Sequence, residues 1–248
     1  MTDERMIYLP ETDSTNSEIR RRLVECPDMC SGTVVAVDFQ TAGRGQKGNS
    51  WESQSGKNLL FSILLRPRRM MAVHSFILSQ LVSLSIVEVL GRYVPDVSIK
   101  WPNDIYYRDR KLVGILIEND MQGADVALSV VGIGVNVNQT HFLSLVPNPV
   151  SLAQVLGHTV DRNILLGQLV DTITTSVDTY SPADDTSVSL AYMRALYRSK
   201  GFHDYFDVLA QEPIRAEVVG VEPSGRLSLR TDTGEVRSYV FKEVQYIL

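Results

Sequence analysis

The hydrophobic period changes twice along this chain, and that pattern constrains the fold more than any single motif. From Thr33 to Asn138 the apolar residues fall in short β-type runs: TVVAVDF, NLLFSILL, VSIKW, DIYY, KLVGILIE and VALSVVGIGVNVN. Asn-Asp and Arg-Asp-Arg turns punctuate them, and Gly123 separates the last two. One helix precedes this section, after Thr15, whose Glu18 three residues on reads as a capping box, and another interrupts it over 75–93. After Ser151, Leu165, Leu169, Ile173 and Val177 recur every fourth residue, which predicts a helix with one apolar face; a second helix is expected over about 187–198. Beyond Gly201 the period returns to two in IRAEVVGV, RLSLR, EVRSYVF and VQYIL, joined by Pro-Ser-Gly and Asp-Thr-Gly turns. The expectation is an α+β body over 1–199 with a mixed sheet, followed by a small β-barrel over 200–248.

Size and composition permit this. For 248 residues and 27.7 kDa, surface scaling gives roughly 11,000 Å² folded against about 40,000 Å² unfolded, enough burial to need no disulfide or metal staple. Cys26 and Cys30 are the only cysteines, and His74, His141, His158 and His203 lie far apart in sequence, so no zinc spacing exists and two reduced thiols are expected. The start, MTDERMIYLPETD, lacks an apolar signal segment, and the most apolar stretch, Phe76 to Val94, carries Gln80, Glu88, Arg92 and serines. These features predict a soluble, cytoplasmic protein with no membrane contact. The net charge of 24 − 29 = −5 argues against DNA or other nucleic acid as the main partner.

Charge is nevertheless localised. Between Gln40 and Met70 there are six Lys/Arg and one Glu, a local +5 that leaves −10 for the rest. Within it, Gly43, Gly45 and Gly48 match G-x-G-x-x-G after a strand, but Gly48 leads into NSWESQSGKN, which has no helical period, so a dinucleotide fold is not expected. The alternative is a flexible loop offering backbone N–H groups, Arg44 and Lys47 to an anion, against the plainer reading of a solvated basic face. Trp51, among Asn, Ser and Glu, is either a stacking surface for a flat ligand or an anchor for the loop.

Three further places carry potential chemistry. Asn103 and Asp104, in Lys100-Trp101-Pro102-Asn103-Asp104, make either a turn or a site for hydrated Mg²⁺ beside phosphates. Strict alternation puts Lys111 on one strand face with Val113 and Ile115, either snorkelling or held inward to meet a carboxylate. Gly114 beside it lets a ligand approach the backbone. In GIGVNVN (132–138), Asn136 either reads a base edge or belongs to a bulge.

These pieces, in this order, resemble the biotin–protein ligases. The resemblance rests on DSTN (13–16), QTAGRGQKGNSW (40–51), KWPNDIYY (100–107), RKLVGILIE (110–118) and GIGVNVN (132–138), and the strand-rich tail agrees with that family's SH3-like C-terminal domain. It implies an α+β, mixed-sheet ligase body and contacts to the biotin head group from Ser14, Thr15 and Asn16. Gln40 and Arg44 match biotin-binding positions, and Gly45 and Gln46 fall in the loop that closes over the ligand. Trp51 matches the residue that packs on adenine, and Asn136 the one that reads the base. Lys111 matches the lysine that meets the biotin carboxylate and then the acyl-phosphate; with Arg44 it is the expected catalytic pair. Asn103 and Asp104 match positions that handle ATP phosphates and Mg²⁺.

One departure is visible: many members carry GRGR, and here the fourth position is Gln46, with the cation displaced to Lys47. A glutamine cannot form a bidentate ionic clamp, so Lys47 is expected to supply the charge toward the adenylate. The implied reaction consumes biotin and ATP and modifies a lysine of a biotin carboxyl carrier protein or domain. A lipoate or octanoate attachment enzyme is the nearest rival. A DNA-binding repressor is disfavoured, because 13 residues before Ser14 are too few for a three-helix module. The sequence leaves the oligomeric state open; members of the resembled family often dimerise along a sheet edge, and strand edges near 125–138 would permit a homodimer.

Overall fold

A computed structural model describes residues 5–46, 48–68, 70–143 and 148–247. Its seven-stranded mixed sheet contains β1 (Met6–Thr12), β2 (Thr33–Gln40), β3 (Leu59–Leu65), β4 (Val97–Lys100), β5 (Asp104–Tyr107), β6 (Arg110–Gln122) and β7 (Asp125–Val135). The order is β1-β2-β3-β7-β6-β5-β4, with β1 parallel to β2 and every other pair antiparallel. A separate antiparallel sheet, in the order β11-β10-β9-β8-β12, contains β8 (His203–Asp207), β9 (Glu212–Val221), β10 (Leu227–Thr231), β11 (Val236–Tyr239) and β12 (Val244–Tyr246). The expected α+β architecture, with a mixed sheet and a C-terminal β unit, is the one observed.

The central strand β3 is buried along its whole length, as its unbroken apolar run requires of a strand covered on both faces. Its odd-numbered residues, with Val34, Ala36, Ile115, Val131 and Ile133, join the larger core beneath α2 (Phe76–Leu90) and α4 (Arg162–Thr179); the short α3 (Leu152–Leu156) lies between those two helices in sequence. Leu60 and Leu64 face the other way, with Val35, Val37 and Val130, against Ile19 of α1 (Thr15–Glu25). This second face is covered only in part, and the site lies on its remainder.

Several expectations need correction. No capping box forms at Thr15: Ser14 is the N-cap residue of α1 and makes no side-chain cap bond, and Glu18 pairs instead with Arg21 and Arg22. Thr15 is drawn elsewhere, its N–H donating to Gln40 Oε1 at 2.8 Å. The second late helix, α5, spans Asp185–Ala195, ending before the expected 198 because the Tyr197 N–H leaves the helix to bond the Ile99 carbonyl. Strands β1 and β8 were not foreseen. Strand β1 is an edge strand that accommodates Pro10 between paired residues, and β8 buries Asp207, so neither shows a clean apolar alternation.

The expected sheet edge near 125–138 is also wrong. Strand β7 lies between β3 and β6, so it presents no free edge there. The unpaired run belongs to β6, because β5 pairs with it only as far as Val113 while β6 continues to Gln122.

Candidate functional site

Glycine makes the floor of the site. Gly114 on β6 pairs with Gly134 on β7, and Gly132 pairs with Leu116, so three missing side chains leave a bare patch on the sparsely covered face. The space is already in use. A Cβ at Gly134 would lie 2.5 Å from Trp51 Cε2, one at Gly114 would lie 2.6 Å from Trp51 Cζ3, and one at Gly132 would lie 2.3 Å from Asn16 Oδ1. Trp51 therefore lies on the glycine floor, and its buried Nε1–H has no acceptor among the described residues. An unmet buried donor costs about 1–3 kcal/mol, and here it sits in a cleft.

At one end the N-terminus of α1 brings in Ser14, Thr15 and Asn16, all buried. Ser62, the polar break in the apolar run of β3, has its Oγ 2.6 Å from both Thr15 Oγ1 and Asn16 Oδ1. Asn16 also donates from Nδ2 to Glu118 Oε2 at 3.2 Å, and Gln40 Oε1 accepts from both the N–H and the hydroxyl of Thr15. These polar groups are fixed before any ligand enters, the preorganisation that recognition of a small polar head group requires.

Among the described residues from Gly43 to Trp51, the chain pairs back on itself as a small hairpin. The Gly45 N–H bonds the Asn49 carbonyl at 2.7 Å, and the Trp51 N–H bonds the Gly43 carbonyl at 3.0 Å. Those N–H groups are consumed internally, so the expected backbone cradle for an anion is not formed by them. The charge at this end of the cleft is carried by side chains. Arg44 Nη1 lies 3.1 Å from Glu118 Oε1. Gln46 Nε2 donates to Asn103 Oδ1 at 3.3 Å, joining the hairpin to the corner between β4 and β5. Lys47 lies outside the described residues.

Lys111 is the place where simple alternation fails. Tyr106 of β5 pairs with Lys111 and the adjacent Ile105 pairs with Val113, so Leu112 is an extra residue, a β-bulge. The bulge keeps Val113 and Ile115 in the core but turns Lys111 to the face of Gly114. There its Nζ meets Asp104 Oδ2 at 2.6 Å, the inward alternative of the two readings. Without the bulge the ammonium would point into the apolar core, where an unpaired charge is prohibitively costly.

Ser14, Thr15, Asn16, Gln40, Arg44, Gly45 and Gln46 thus share one cleft with Trp51, Asn103, Asp104, Lys111 and Gly114. The space among them, about 720 Å³, includes open solvent at the mouth. Asn136 is not on the wall. It is buried just beyond β7, its N–H bonding the Leu112 carbonyl and its Nδ2 lying 3.4 Å from the Lys111 carbonyl, so it braces the bulge from behind.

The sequence reading assigned no role to Ser62, Glu118 or Phe241. The first two were legible in principle: Ser62 as the lone polar residue in LLFSILL, and Glu118 as the next pocket-facing position after Gly114 and Leu116. Phe241, from the C-terminal sheet, was not.

Among the described residues no three His, Cys, Asp or Glu side chains gather as a metal cluster. The lone Asp104 carboxylate beside Asn103 fits a Mg²⁺ ion that arrives with a nucleotide and keeps most of its ligands as phosphate and water, not a resident metal.

Comparison with known proteins agrees with this geometry. Residues 8–136 match the Biotin/lipoate A/B protein ligase family. The chain is 37% identical over 164 residues to the bifunctional ligase/repressor BirA of Salmonella typhimurium, covering 65% of this chain and 50% of that one. It thus spans about half the length of that relative. It is 33% identical over 193 residues to a biotin–[acetyl-CoA-carboxylase] ligase of Paracoccus denitrificans, covering 74% of this chain and 78% of the relative. Among solved structures, the biotin protein ligase from Aquifex aeolicus in complex with biotin and ATP superposes with a TM-score of 0.77 at 26% identity, covering 98% of this chain and all of that one. With five motifs in register, a matching fold and a cleft lined by those motifs, the chain belongs to the biotin/lipoate A/B protein ligase family.

Proposed function

We propose that this protein activates biotin with ATP as biotinyl-5′-AMP and transfers the biotinyl group to a lysine of a biotin carboxyl carrier protein or domain. The observation that carries the proposal is the Lys111–Asp104 pair on the glycine floor, with the fixed polar wall of Ser14, Thr15, Asn16 and Gln40 in the same cleft. One end offers neutral donors and acceptors for a ureido-like head group, and the other offers charge for a carboxylate and phosphates.

In the first step a biotin carboxylate oxygen bonds the α-phosphorus of ATP and pyrophosphate leaves. In the second, a carrier lysine amine bonds the acyl carbon, the acyl–oxygen bond breaks, AMP leaves and the amine loses a proton. The nucleophiles belong to the substrates, so the protein's work is to hold two anions together and offset their repulsion. Lys111 and Arg44 are the cations for this, and each is paired with a carboxylate that a substrate oxygen can replace, Asp104 and Glu118 respectively. Mg²⁺ bound to ATP would be held by Asp104 with Asn103, supplying charge neutralisation. In this reading Trp51 packs on the adenylate, Lys47 adds charge to the loop and Asn136 contributes to the base site. The body over 1–199 is the catalytic domain, with an SH3-like unit over 200–248. The free run of β6 is the edge a homodimer would use, and the protein works in the cytoplasm. No described helix is long and apolar enough to cross a membrane.

The test is to supply labelled ATP with biotin, measure pyrophosphate release, then add a carrier domain and follow its labelling. Lys111→Ala is expected to abolish biotin-dependent pyrophosphate release. A near-normal rate would remove Lys111 from catalysis, and no release by the unaltered protein would overturn the proposal.

A further inference from the structure

Among the described residues lining the cleft, Phe241 alone comes from the C-terminal sheet. It sits in the turn between β11 and β12, closed by the Glu243 N–H to the Val240 carbonyl at 3.0 Å, with Lys242 in the left-handed region at φ 75°. The closed turn fixes the backbone at Phe241, and its ring reaches the cleft lining.

The unit carrying Phe241 is held in place by specific contacts. Trp101, buried at the corner between β4 and β5, packs its ring 6.3 Å from that of Phe241 and donates its Nε1–H to the Gly225 carbonyl at 3.0 Å. Gly225, at φ 86°, lies so close to Phe76 that a Cβ would come within 2.7 Å of the ring. Phe76 in turn stacks edge-on against Tyr192, whose hydroxyl donates to the Pro102 carbonyl at 2.6 Å. Two turns of the C-terminal sheet therefore grip Trp101–Pro102, and the next two residues, Asn103 and Asp104, enter the cleft. The hairpin reaches the same corner from the other side through Gln46 and Asn103.

Phe241, 38% exposed, thus brings one aromatic ring to the cleft lining from outside the body. A phenyl ring there offers no hydrogen bond to a phosphate or carboxylate; what it removes is room for water. We infer that Phe241 is a shielding residue that keeps water from the activated acyl group, and that this is what the C-terminal sheet contributes to the reaction. The step it opposes is hydrolysis: a water oxygen bonds the acyl carbon, the acyl–oxygen bond breaks, AMP leaves and a proton passes to solvent. Excluding that water preserves the mixed anhydride for the amine.

The inference rests on the adenylation reading, and the experiment separates the two. The full chain and its F241A and F241L variants are given biotin and ATP without a carrier; first-turnover pyrophosphate and subsequent AMP release are followed. F241A is expected to release AMP about tenfold faster than the unaltered chain with pyrophosphate formation within about twofold, and F241L, which keeps apolar bulk, to stay near the unaltered rate. Because Trp101 packs against Phe241, the docking of the C-terminal sheet is followed by urea unfolding, whose midpoint should stay close to the unaltered value in both variants. AMP release unchanged in F241A, equal leakage in F241L, or leakage accompanied by a large fall in the unfolding midpoint would each overturn shielding by Phe241. Absence of biotin-dependent pyrophosphate from the unaltered chain would instead defeat the underlying reading.

Discussion

Substituting alanine for glycine at three positions makes the sharpest use of the glycine floor. At Gly134 the new Cβ would lie 2.5 Å from Trp51 Cε2, 2.7 Å from Nε1 and 2.8 Å from Cζ2. Carbon–carbon contacts are comfortable at about 3.5–4.0 Å, so the indole must retreat by roughly 1 Å. The obstacle is a side chain on a hairpin, not the backbone of a neighbouring strand, so the fold can accommodate it. The loss in unfolding free energy should stay within about 1–3 kcal/mol, the ordinary cost of overpacking. Function should suffer more, because a displacement of about 1 Å at a reacting geometry costs on the order of 100-fold in rate. Gly114→Ala meets the same indole from the other strand, at 2.6 Å, and should behave alike. Gly167→Ala is the control: it lies in α4 with nothing within 4 Å of its Cβ, and should stabilise by about 0.5–1 kcal/mol without changing activity. The assays are biotin-dependent pyrophosphate release and urea unfolding on the same preparations. Gly134→Ala with activity within twofold of the unaltered protein would refute the view that the indole's seat on the glycines is part of the working site.

Ser62→Ala removes the hydroxyl 2.6 Å from both Thr15 and Asn16; it should cost about 1–3 kcal/mol of stability and raise the KM for biotin more than that for ATP, and an unaltered biotin KM would dismiss its positioning role. Gln46→Ala loses the bond to Asn103 and should shorten retention of labelled adenylate; Lys47→Ala should do the same, and retention unchanged in the latter would show that Lys47 does not replace the missing loop arginine. In the C-terminal sheet, burial of Asp207 opposes its ionisation, but the Ala210 N–H, the Tyr239 hydroxyl and the Arg237 guanidinium outweigh it and hold the carboxyl below its ordinary value. The unfolded state binds the proton more readily, so this stabilisation is full above about pH 4 and is lost as pH falls further. Asp207→Asn should therefore destabilise the full chain in urea by about 3 kcal/mol at pH 7 and by about 1 kcal/mol less at pH 3; an equal loss at both pH values would contradict the assignment.

Much of this protein is decided by local sequence. The short apolar runs of β2, β3 and β7 and the four-residue spacing of α4 follow from burying one face, or both faces, of each element, and they survive in the folded chain. The five motifs also carried the family and nearly the whole cleft, because a site built on glycines, amides and a lysine leaves residue types that packing alone does not explain. What the sequence could not decide depends on register and on distant partners. The direction of Lys111 hinges on one extra residue opposite β5, which no alternation rule contains. Thr15 left its expected capping role because Gln40 and Ser62, remote in sequence, compete for it. The free strand edge shifted from β7 to β6 because edges are defined by where the neighbouring strand stops. Phe241 entered the site only through the docking of a second sheet on Trp101. Local periodicity reports which face a residue turns toward the core; only tertiary structure brings together groups whose separation along the chain is far greater than their separation in space.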